Sequence, residues 1–312
     1  MGWTFSSLDR RTVLKLMLAT AGAGVLRNLL ADDAGDTIRV RQIPSSGEDL
    51  PVIGLGTAHV FDVGQSVEER APLAEVLRLL TRSGGRVIDT SPMYGRAERI
   101  VGDLVASSQL TDRVFMATKV WITGRESGIE QMQESMRLLQ VDRIDLMQVH
   151  NLVDWRTHIE TLRAWKADGR VRYVGITHYR TDSHDELEAV MKAVPLDFVQ
   201  LNYSMLTPDA ERRLLPLAQD EGVAILVNRP YERGAVFPRV RGRELPGWAA
   251  EFGIDSWGQF FLKWVLSHPA VTCVIPGTSK PHHMLDNVGA GFGVLPDAET
   301  RTRMRAFVLG ED

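Results

Sequence analysis

The 312-residue sequence contains a single cysteine, Cys273, in the middle of an apolar run. One cysteine excludes an internal disulfide and a cysteine-rich metal site, and its setting is typical of a small buried hydrophobic side chain. The chain also lacks a large charge of one sign, because its formal net charge is -4. A nucleic-acid partner usually requires a basic patch, so none is expected. The hydrophobic fraction of 44% allows a large globular core.

The first 31 residues differ in composition from the rest of the chain. The pair Arg10-Arg11 precedes an uncharged stretch, Leu16 to Leu26, which is too short to span a bilayer as a helix but fits a signal-peptide core. This pattern resembles a twin-arginine export signal. It predicts a signal peptide over residues 1–31, a periplasmic location and the export machinery as a partner. The alternative is an amphipathic N-terminal helix, capped by Ser7, on a cytoplasmic protein.

From residue 38 onward, short apolar runs alternate with helical stretches. The runs Ile38–Ile43 and Leu50–Leu55, separated by turn-forming residues, predict a β-hairpin that leads into the first core strand. Eight strand-helix units follow in about 250 residues, which is the count and length of an α/β protein of the (β/α)8 TIM barrel type. We therefore predict one domain over residues 38–312, with an extra C-terminal helix at Asp297–Val308. An irregular insertion, Pro230–Pro246, follows the seventh barrel strand and would cover the mouth.

Four polar side chains lie at or just beyond the ends of three consecutive apolar runs. Asp89 ends one run, Tyr94 comes five residues later, and Lys119 and His150 end the next two. Taken singly, each side chain is explained by a turn or a solvated strand end. The carboxyl ends of parallel strands meet on one rim of a barrel, however, and enzymes with this fold keep their chemistry there. An acid, a phenol, an amine and an imidazole on one rim can move a proton, so we predict that these four side chains are catalytic.

Several segments, in this order along the chain, resemble the successive motifs of the aldo-keto reductases. They are Gly54–Thr57, Ile88–Gly95, Ala117–Lys119, Asp145–His150, Arg172–Ile176, Asp197–Tyr203 and Ile275–Thr278. The resemblance implies an enzyme that reduces an aldehyde or ketone to an alcohol with a hydride from NADPH, with NADH not excluded as the cofactor. The alternative is a regulatory or sensor barrel that binds the cofactor with little turnover. No His, Cys or Asp cluster has metal-ligand spacing, so no metal is expected.

The resemblance also implies roles for the four polar residues. Tyr94 would donate the proton to the carbonyl oxygen, and Lys119 would make that phenol more acidic. Asp89 would pair with Lys119 and hold it in place. His150 would hydrogen-bond the carbonyl oxygen and orient it, and could share in proton transfer.

The same resemblance implies a set of residues that contact the cofactor. Thr177, His178 and Gln200 would hold the carboxamide, with His178 standing where the family usually has an asparagine. Asn228 stands where many members stack a tyrosine on the nicotinamide. The remaining cofactor-binding residues would be Thr57, then Arg229, Tyr231 and Arg233 at the pyrophosphate, and Gly277, Thr278, Lys280, His283 and Asn287 at the adenosine 2′-phosphate. Trp121 would form a wall of the substrate pocket.

Overall fold

The computed structural model describes residues 37–311 and divides the chain into two units, Met1–Asp36 and Thr37–Asp312. The signal peptide predicted for residues 1–31 lies outside the described residues. The second unit begins with an antiparallel hairpin of β1 (Val40–Gln42) and β2 (Asp49–Pro51). The predicted hairpin is therefore present, although its strands are shorter than the apolar runs of the sequence.

Eight parallel strands then follow one another around a barrel in chain order. They are β3 (Leu55–Gly56), β4 (Val87–Asp89), β5 (Phe115–Val120), β6 (Ile144–His150), β7 (Val171–His178), β8 (Phe198–Asn202), β9 (Ala224–Asn228) and β10 (Val271–Val274). Parallel bridges from Ile53 to Val274 and from Gly56 to Gly277 join the last strand to the first. These bridges close the barrel and confirm the predicted (β/α)8 fold.

Helices surround the barrel. They are α1 (Val67–Arg82), α2 (Ala97–Ser107), α3 (Arg125–Leu139), α4 (Trp155–Ala167), α5 (His184–Ala193), α6 (Leu214–Asp220), α7 (Trp257–Leu266), α8 (Pro281–Gly289) and the extra C-terminal α9 (Ala298–Leu309). Before α6, a 3-10 turn spans Asp209–Arg212, and Arg213, with φ -142° and ψ -48°, separates this turn from the helix. Within residues 37–311, no helix is both long enough and apolar enough to cross a membrane.

The interior of the barrel changes character along its axis. Strand side chains alternate between the interior and the helix layer, so every second residue faces inward. The inward positions near the amino ends of the strands are apolar, and Ile43 and Leu50 of the hairpin pack against them with no exposed surface. Farther along, the same series turns polar in every strand from β4 to β9. These polar inward residues are Asp89, Lys119, Gln148, His150, Thr177, Gln200 and Asn228.

Candidate active site

The four polar residues singled out by the sequence lie together at the carboxyl end of the barrel. Lys119 Nζ is fully buried and lies 2.6 Å from Asp89 Oδ2 and 5.2 Å from the centroid of the Tyr94 ring. The Tyr94 and His150 rings lie edge to face, with centroids 5.9 Å apart. Strands β4, β5 and β6 thus bring an acid, an amine, a phenol and an imidazole into one cluster.

The Asp89 carboxylate accepts hydrogen bonds on both oxygens. Lys119 donates to Oδ2, while Gln148 Nε2 and Gln200 Nε2 donate to Oδ1 over 3.1 and 2.8 Å. The Asp89 carbonyl oxygen also accepts from the backbone N–H and the hydroxyl of Thr57, each at 3.0 Å. A buried carboxylate needs partners of this kind, and here they leave it no freedom to turn away from Lys119.

Lys119 is held as a cation. Burial alone would lower the pKa of Lys119, but the charge of Asp89 and the contact with Tyr94 outweigh burial and raise it. Its ammonium also donates to the carbonyl oxygen of Thr90 over 2.7 Å. The cluster therefore keeps a fixed positive charge beside the phenol at neutral pH.

The Tyr94 hydroxyl is subject to opposing effects. Burial raises the pKa of the Tyr94 hydroxyl above its ordinary value, the charge of Lys119 lowers it, and the Asp89 carboxylate raises it further. Lys119 thus acts on the phenol in the predicted direction, but burial and Asp89 outweigh it in the resting protein. Desolvation of a phenolate costs more than one neighbouring ammonium returns when a carboxylate stands behind that ammonium. Tyr94 thus rests as a protonated hydroxyl, which is the form that can donate a proton.

His150 is a neutral imidazole. Burial, followed by the charge of Lys119, lowers the pKa of His150 to about 2. Ser91 Oγ lies 3.1 Å from His150 Nδ1 and accepts the Met93 N–H at 3.4 Å; we assign the Ser91 hydroxyl as the donor to Nδ1. A hydroxyl that donates to Nδ1 leaves the single imidazole proton on Nε2. His150 can therefore donate a hydrogen bond from Nε2, but it cannot act as an imidazolium acid in the resting site.

Thr177, Gln200 and Asn228, which are predicted to contact the cofactor, form a hydrogen-bonded set that joins the cluster around Asp89. Gln200 Oε1 accepts from Thr177 Oγ1 at 3.2 Å and from Asn228 Nδ2 at 3.3 Å. Because Gln200 Nε2 also donates to Asp89, this one side chain links the two halves of the site. Asn228 Oδ1 is buried and has no hydrogen-bond partner within the described residues.

His178 has no hydrogen bond to this set, although the resemblance implies that it holds the carboxamide together with Thr177. Its Nδ1 accepts the Arg180 N–H at 3.2 Å, and its Nε2 lies 3.2 Å from Ser183 Oγ. Both ring nitrogens are therefore used within the loop that follows β7.

The segment predicted for the pyrophosphate is strained and basic. Arg229 and Arg233 adopt φ of 51° and 54°, a region that side chains other than glycine seldom occupy and that often marks functional loops. The Arg229 guanidinium lies 3.9 Å from the centroid of the Tyr179 ring, and Arg233 lies 3.4 Å from His59. Tyr231 instead donates its hydroxyl proton to Asn287 Oδ1, 2.7 Å away, so these two residues tie the insertion to α8.

The residues predicted for the 2′-phosphate lie around the start of α8. Thr278 Oγ1 accepts the Lys280 N–H at 3.0 Å, and Gly277 bridges to Gly56 across the barrel closure. Lys280 and His283 are exposed. Among the described residues, no carboxylate forms a salt bridge with Lys280, Arg229 or Arg233. Their charges are thus available to an anion.

Trp121 lies at the mouth of the barrel. Its ring centroid is 6.3 Å from that of His150, and 42% of the residue is exposed. Gln131 fixes its backbone by accepting the Trp121 N–H at 2.6 Å. An exposed ring on a fixed backbone beside His150 can wall one side of a substrate pocket.

Two residues of the site escaped the sequence analysis, Ser91 and Gln148. Ser91 was hidden in a turn-forming segment, where a hydroxyl has an ordinary local explanation. Gln148 precedes His150 by two, so the alternation of the strand places both inward and could have revealed it. Gly175 faces Gln148 from β7; a Cβ there would lie 2.8 Å from the carbonyl oxygen of Phe198 and 3.3 Å from Gln148 Cγ. The glycine thus leaves the room that the glutamine uses.

The sequence was compared with a protein-family model and with characterised proteins. The model of the aldo/keto reductase family matches residues 52–305. The Bacillus subtilis aldo-keto reductase YhdN is 28% identical over 207 residues, a match that spans 62% of this chain and 62% of YhdN, less than two thirds of that protein. Bacillus subtilis glyoxal reductase is 25% identical over 260 residues, which cover 81% of this chain and 86% of the relative.

A solved structure shows the same fold. An aldo/keto reductase from Klebsiella pneumoniae in complex with NADP and acetate matches with a TM-score of 0.73 and 24% identity. The match covers 88% of this chain and 96% of that protein.

Proposed function

The chain belongs to the aldo/keto reductase family, and from this premise we propose that it reduces a small aldehyde or ketone to an alcohol with NADPH. The observation that carries the proposal is the buried Lys119–Asp89 pair beside a protonated Tyr94 and a neutral His150. A carbonyl reductase needs one proton donor and one hydrogen-bond donor at the substrate oxygen, and these side chains supply both.

The residues predicted to bind the cofactor are chemically suited to nicotinamide adenine dinucleotide phosphate. Arg229, Arg233 and Lys280 offer positive charges that no described carboxylate neutralises, as phosphate groups require. Asn228 Oδ1 is an unpaired buried acceptor close to the catalytic cluster, as an amide ligand requires. When bound, the nicotinamide supplies the hydride that no side chain can provide.

In the proposed reaction, side chains of the protein supply the proton to the carbonyl oxygen and stabilise the phenolate that remains. His150 Nε2–H and the Tyr94 hydroxyl both donate to the carbonyl oxygen, which polarises the bond and fixes its orientation. As negative charge develops on that oxygen, the Tyr94 proton moves to it and a phenolate remains. Lys119 stabilises this phenolate, and Asp89 keeps the ammonium in position. Lys119 thus lowers the free energy of the phenolate relative to a site without the ammonium, an interaction that strengthens as the proton leaves Tyr94.

The substrate class follows from the mouth of the site and from the relatives. Trp121 offers one exposed ring beside His150. The relationship to a glyoxal reductase supports a small aldehyde with an adjacent electron-withdrawing group, for which glyoxal is a suitable probe.

The test is the Tyr94→Phe variant of the full chain. With glyoxal as substrate, we expect the wild-type protein to oxidise NADPH, which is monitored by the loss of NADPH absorbance. The variant should lose a factor of at least ~10² in kcat, since general acid catalysis contributes ~10²–10⁴. NADPH affinity, measured by fluorescence titration, should stay within about twofold because the phenol contributes no essential cofactor contact. A phenylalanine variant that turns over as fast as the parent removes Tyr94 from the mechanism.

We further propose that residues 1–31 form a twin-arginine signal and that the enzyme acts in the periplasm. Support comes from the sequence alone: Arg10-Arg11 precedes a short uncharged core from Leu16 to Leu26. Twin-arginine export carries folded proteins, which suits an enzyme that binds its cofactor before export.

A further inference from the structure

Asn228 presents a buried polar atom that lacks a partner at the carboxyl end of β9. Its Oδ1 has no hydrogen-bond partner within the described residues, although Nδ2 of the same side chain is bonded to Gln200. An unsatisfied buried acceptor is costly, and folded proteins keep few of them. An atom of this kind beside a catalytic cluster calls for a ligand that donates a hydrogen bond.

The orientation of the Asn228 amide follows from a chain of hydrogen bonds that begins at Asp89. The Asp89 carboxylate can only accept, so Gln200 must turn its Nε2 toward it, at 2.8 Å. Gln200 Nε2 also donates to Gln148 Oε1 at 3.2 Å, which reinforces the same orientation. Gln200 Oε1 therefore points the other way, where it accepts from Thr177 and Asn228.

Because Gln200 Oε1 is an acceptor, Asn228 must donate to it from its NH2 group. A flipped Asn228 amide would place two oxygens against each other and leave the NH2 without this bond. The free atom of the set is consequently an oxygen, not a nitrogen. Gln200 itself has no spare donor, since both of its amide hydrogens are used by Asp89 and Gln148.

His178 cannot supply the same acceptor. Its Nδ1 accepts the Arg180 N–H, and its Nε2 is bonded to Ser183 Oγ. His178 is thus bonded within its own loop, and Asn228 is the side-chain amide that shares the Gln200 oxygen with Thr177.

We propose that Asn228 Oδ1 accepts a hydrogen bond from the NH2 group of the nicotinamide carboxamide and thereby fixes the rotation of that carboxamide. This inference rests on the proposed function, because it requires a nicotinamide cofactor. Asn228 would contact the edge of the cofactor's carboxamide, whereas a tyrosine at this position would stack on the face of the nicotinamide ring. The same side chain touches Gln200, so occupancy by the cofactor is linked through one residue to the Asp89 carboxylate.

The experiment compares three oxidised cofactors bound to the full-length protein. They are NADP⁺, its 3-acetylpyridine analogue, in which a methyl group replaces the NH2, and its thionicotinamide analogue, which keeps the NH2. Dissociation constants are measured by calorimetry for the wild-type protein, Asn228→Leu and His178→Ala. The readout is the ratio of the analogue's dissociation constant to that of NADP⁺, which cancels general losses of affinity.

We expect the wild-type protein to bind the acetylpyridine analogue roughly 2- to 12-fold more weakly than NADP⁺, as the loss of one hydrogen bond implies. In Asn228→Leu this ratio should fall to about one, whereas His178→Ala should keep the wild-type ratio. The thionicotinamide ratio should be the same in all three proteins.

Two results overturn the proposal. One is a wild-type protein that binds the acetylpyridine analogue as tightly as NADP⁺, a result that needs no variant to fold. The other is an acetylpyridine ratio that survives in Asn228→Leu or disappears in His178→Ala. Failure of the wild-type protein to bind any of the three cofactors would instead reject the proposed function itself.

Discussion

Ser91 determines, by our reasoning, which nitrogen of His150 carries the proton. Its hydroxyl lies 3.1 Å from Nδ1 in a site where Ser91 is buried. Replacing Ser91 with alanine removes that donor and leaves Nδ1 without its partner. A neutral hydrogen bond contributes about 0.5–1.5 kcal/mol, so the tautomer with the proton on Nε2 should lose that much of its advantage. At 1.36 kcal/mol per tenfold change, kcat/KM should fall roughly 2- to 12-fold.

Two measurements report on this prediction. The ¹⁵N shifts of the His150 ring should show the proton on Nε2 in the wild-type protein and a mixture of tautomers in Ser91→Ala. The kcat/KM for glyoxal should fall in the variant while the affinity for NADPH does not change. Thr81→Val is the matched control, because it removes a buried hydroxyl that bonds only to its own helix.

The pH dependence adds an independent check. The folded pKa of His150, about 2, lies below the ordinary value of 6.5, so the ring stays neutral as the pH falls through 6.5. We therefore expect no loss of kcat/KM between about pH 8 and pH 5 that follows protonation of His150. The unfolded chain does bind that proton below pH 6.5, so this histidine makes the folded state less stable as the pH falls. A His150 that titrates near 6.5, or a Ser91→Ala enzyme with unchanged kcat/KM and unchanged ¹⁵N shifts, would refute the reasoning.

Two further predictions concern stability and location. Lys263 is fully buried, and its Nζ donates to three backbone carbonyl oxygens at 2.6–3.1 Å, so Lys263→Met should lower the free energy of unfolding in urea by about 3 kcal/mol. Lys192→Met, which removes one exposed ion pair within a helix, should cost no more than about 0.5 kcal/mol, and equal effects would contradict this account. If residues 1–31 are an export signal, changing Arg10 and Arg11 to lysine should abolish recovery of the protein from the periplasmic fraction. A wild-type protein confined to the cytoplasm would reject the proposed location.

Local patterns in the sequence were sufficient for the architecture and for placing the four predicted catalytic residues on one rim of the barrel. Apolar runs alternating with helical stretches indicate a barrel because each unit must bury one face against its neighbours. Asp89, Lys119 and His150 could be placed on one rim, since parallel strands all end on the same side. Local patterns do not locate the break at Arg213, whose non-helical backbone angles separate a 3-10 turn from α6.

The hydrogen-bond partners and the charge states were decided only by the tertiary structure. Sequence spacing predicts the strand on which a side chain lies and whether it points into the barrel or toward the helices. It does not predict which of several nearby donors and acceptors the side chain will bond to. His178 is drawn into its own loop and Asn228 is left with a free oxygen, although the sequence favours His178 for the carboxamide. Tyr94 stays protonated beside an ammonium because burial and a carboxylate outweigh that one charge. The orientation that leaves the Asn228 oxygen free depends on the contact between Gln200 and Asp89, which are 111 positions apart, and the order of residues along the chain does not encode such a distance.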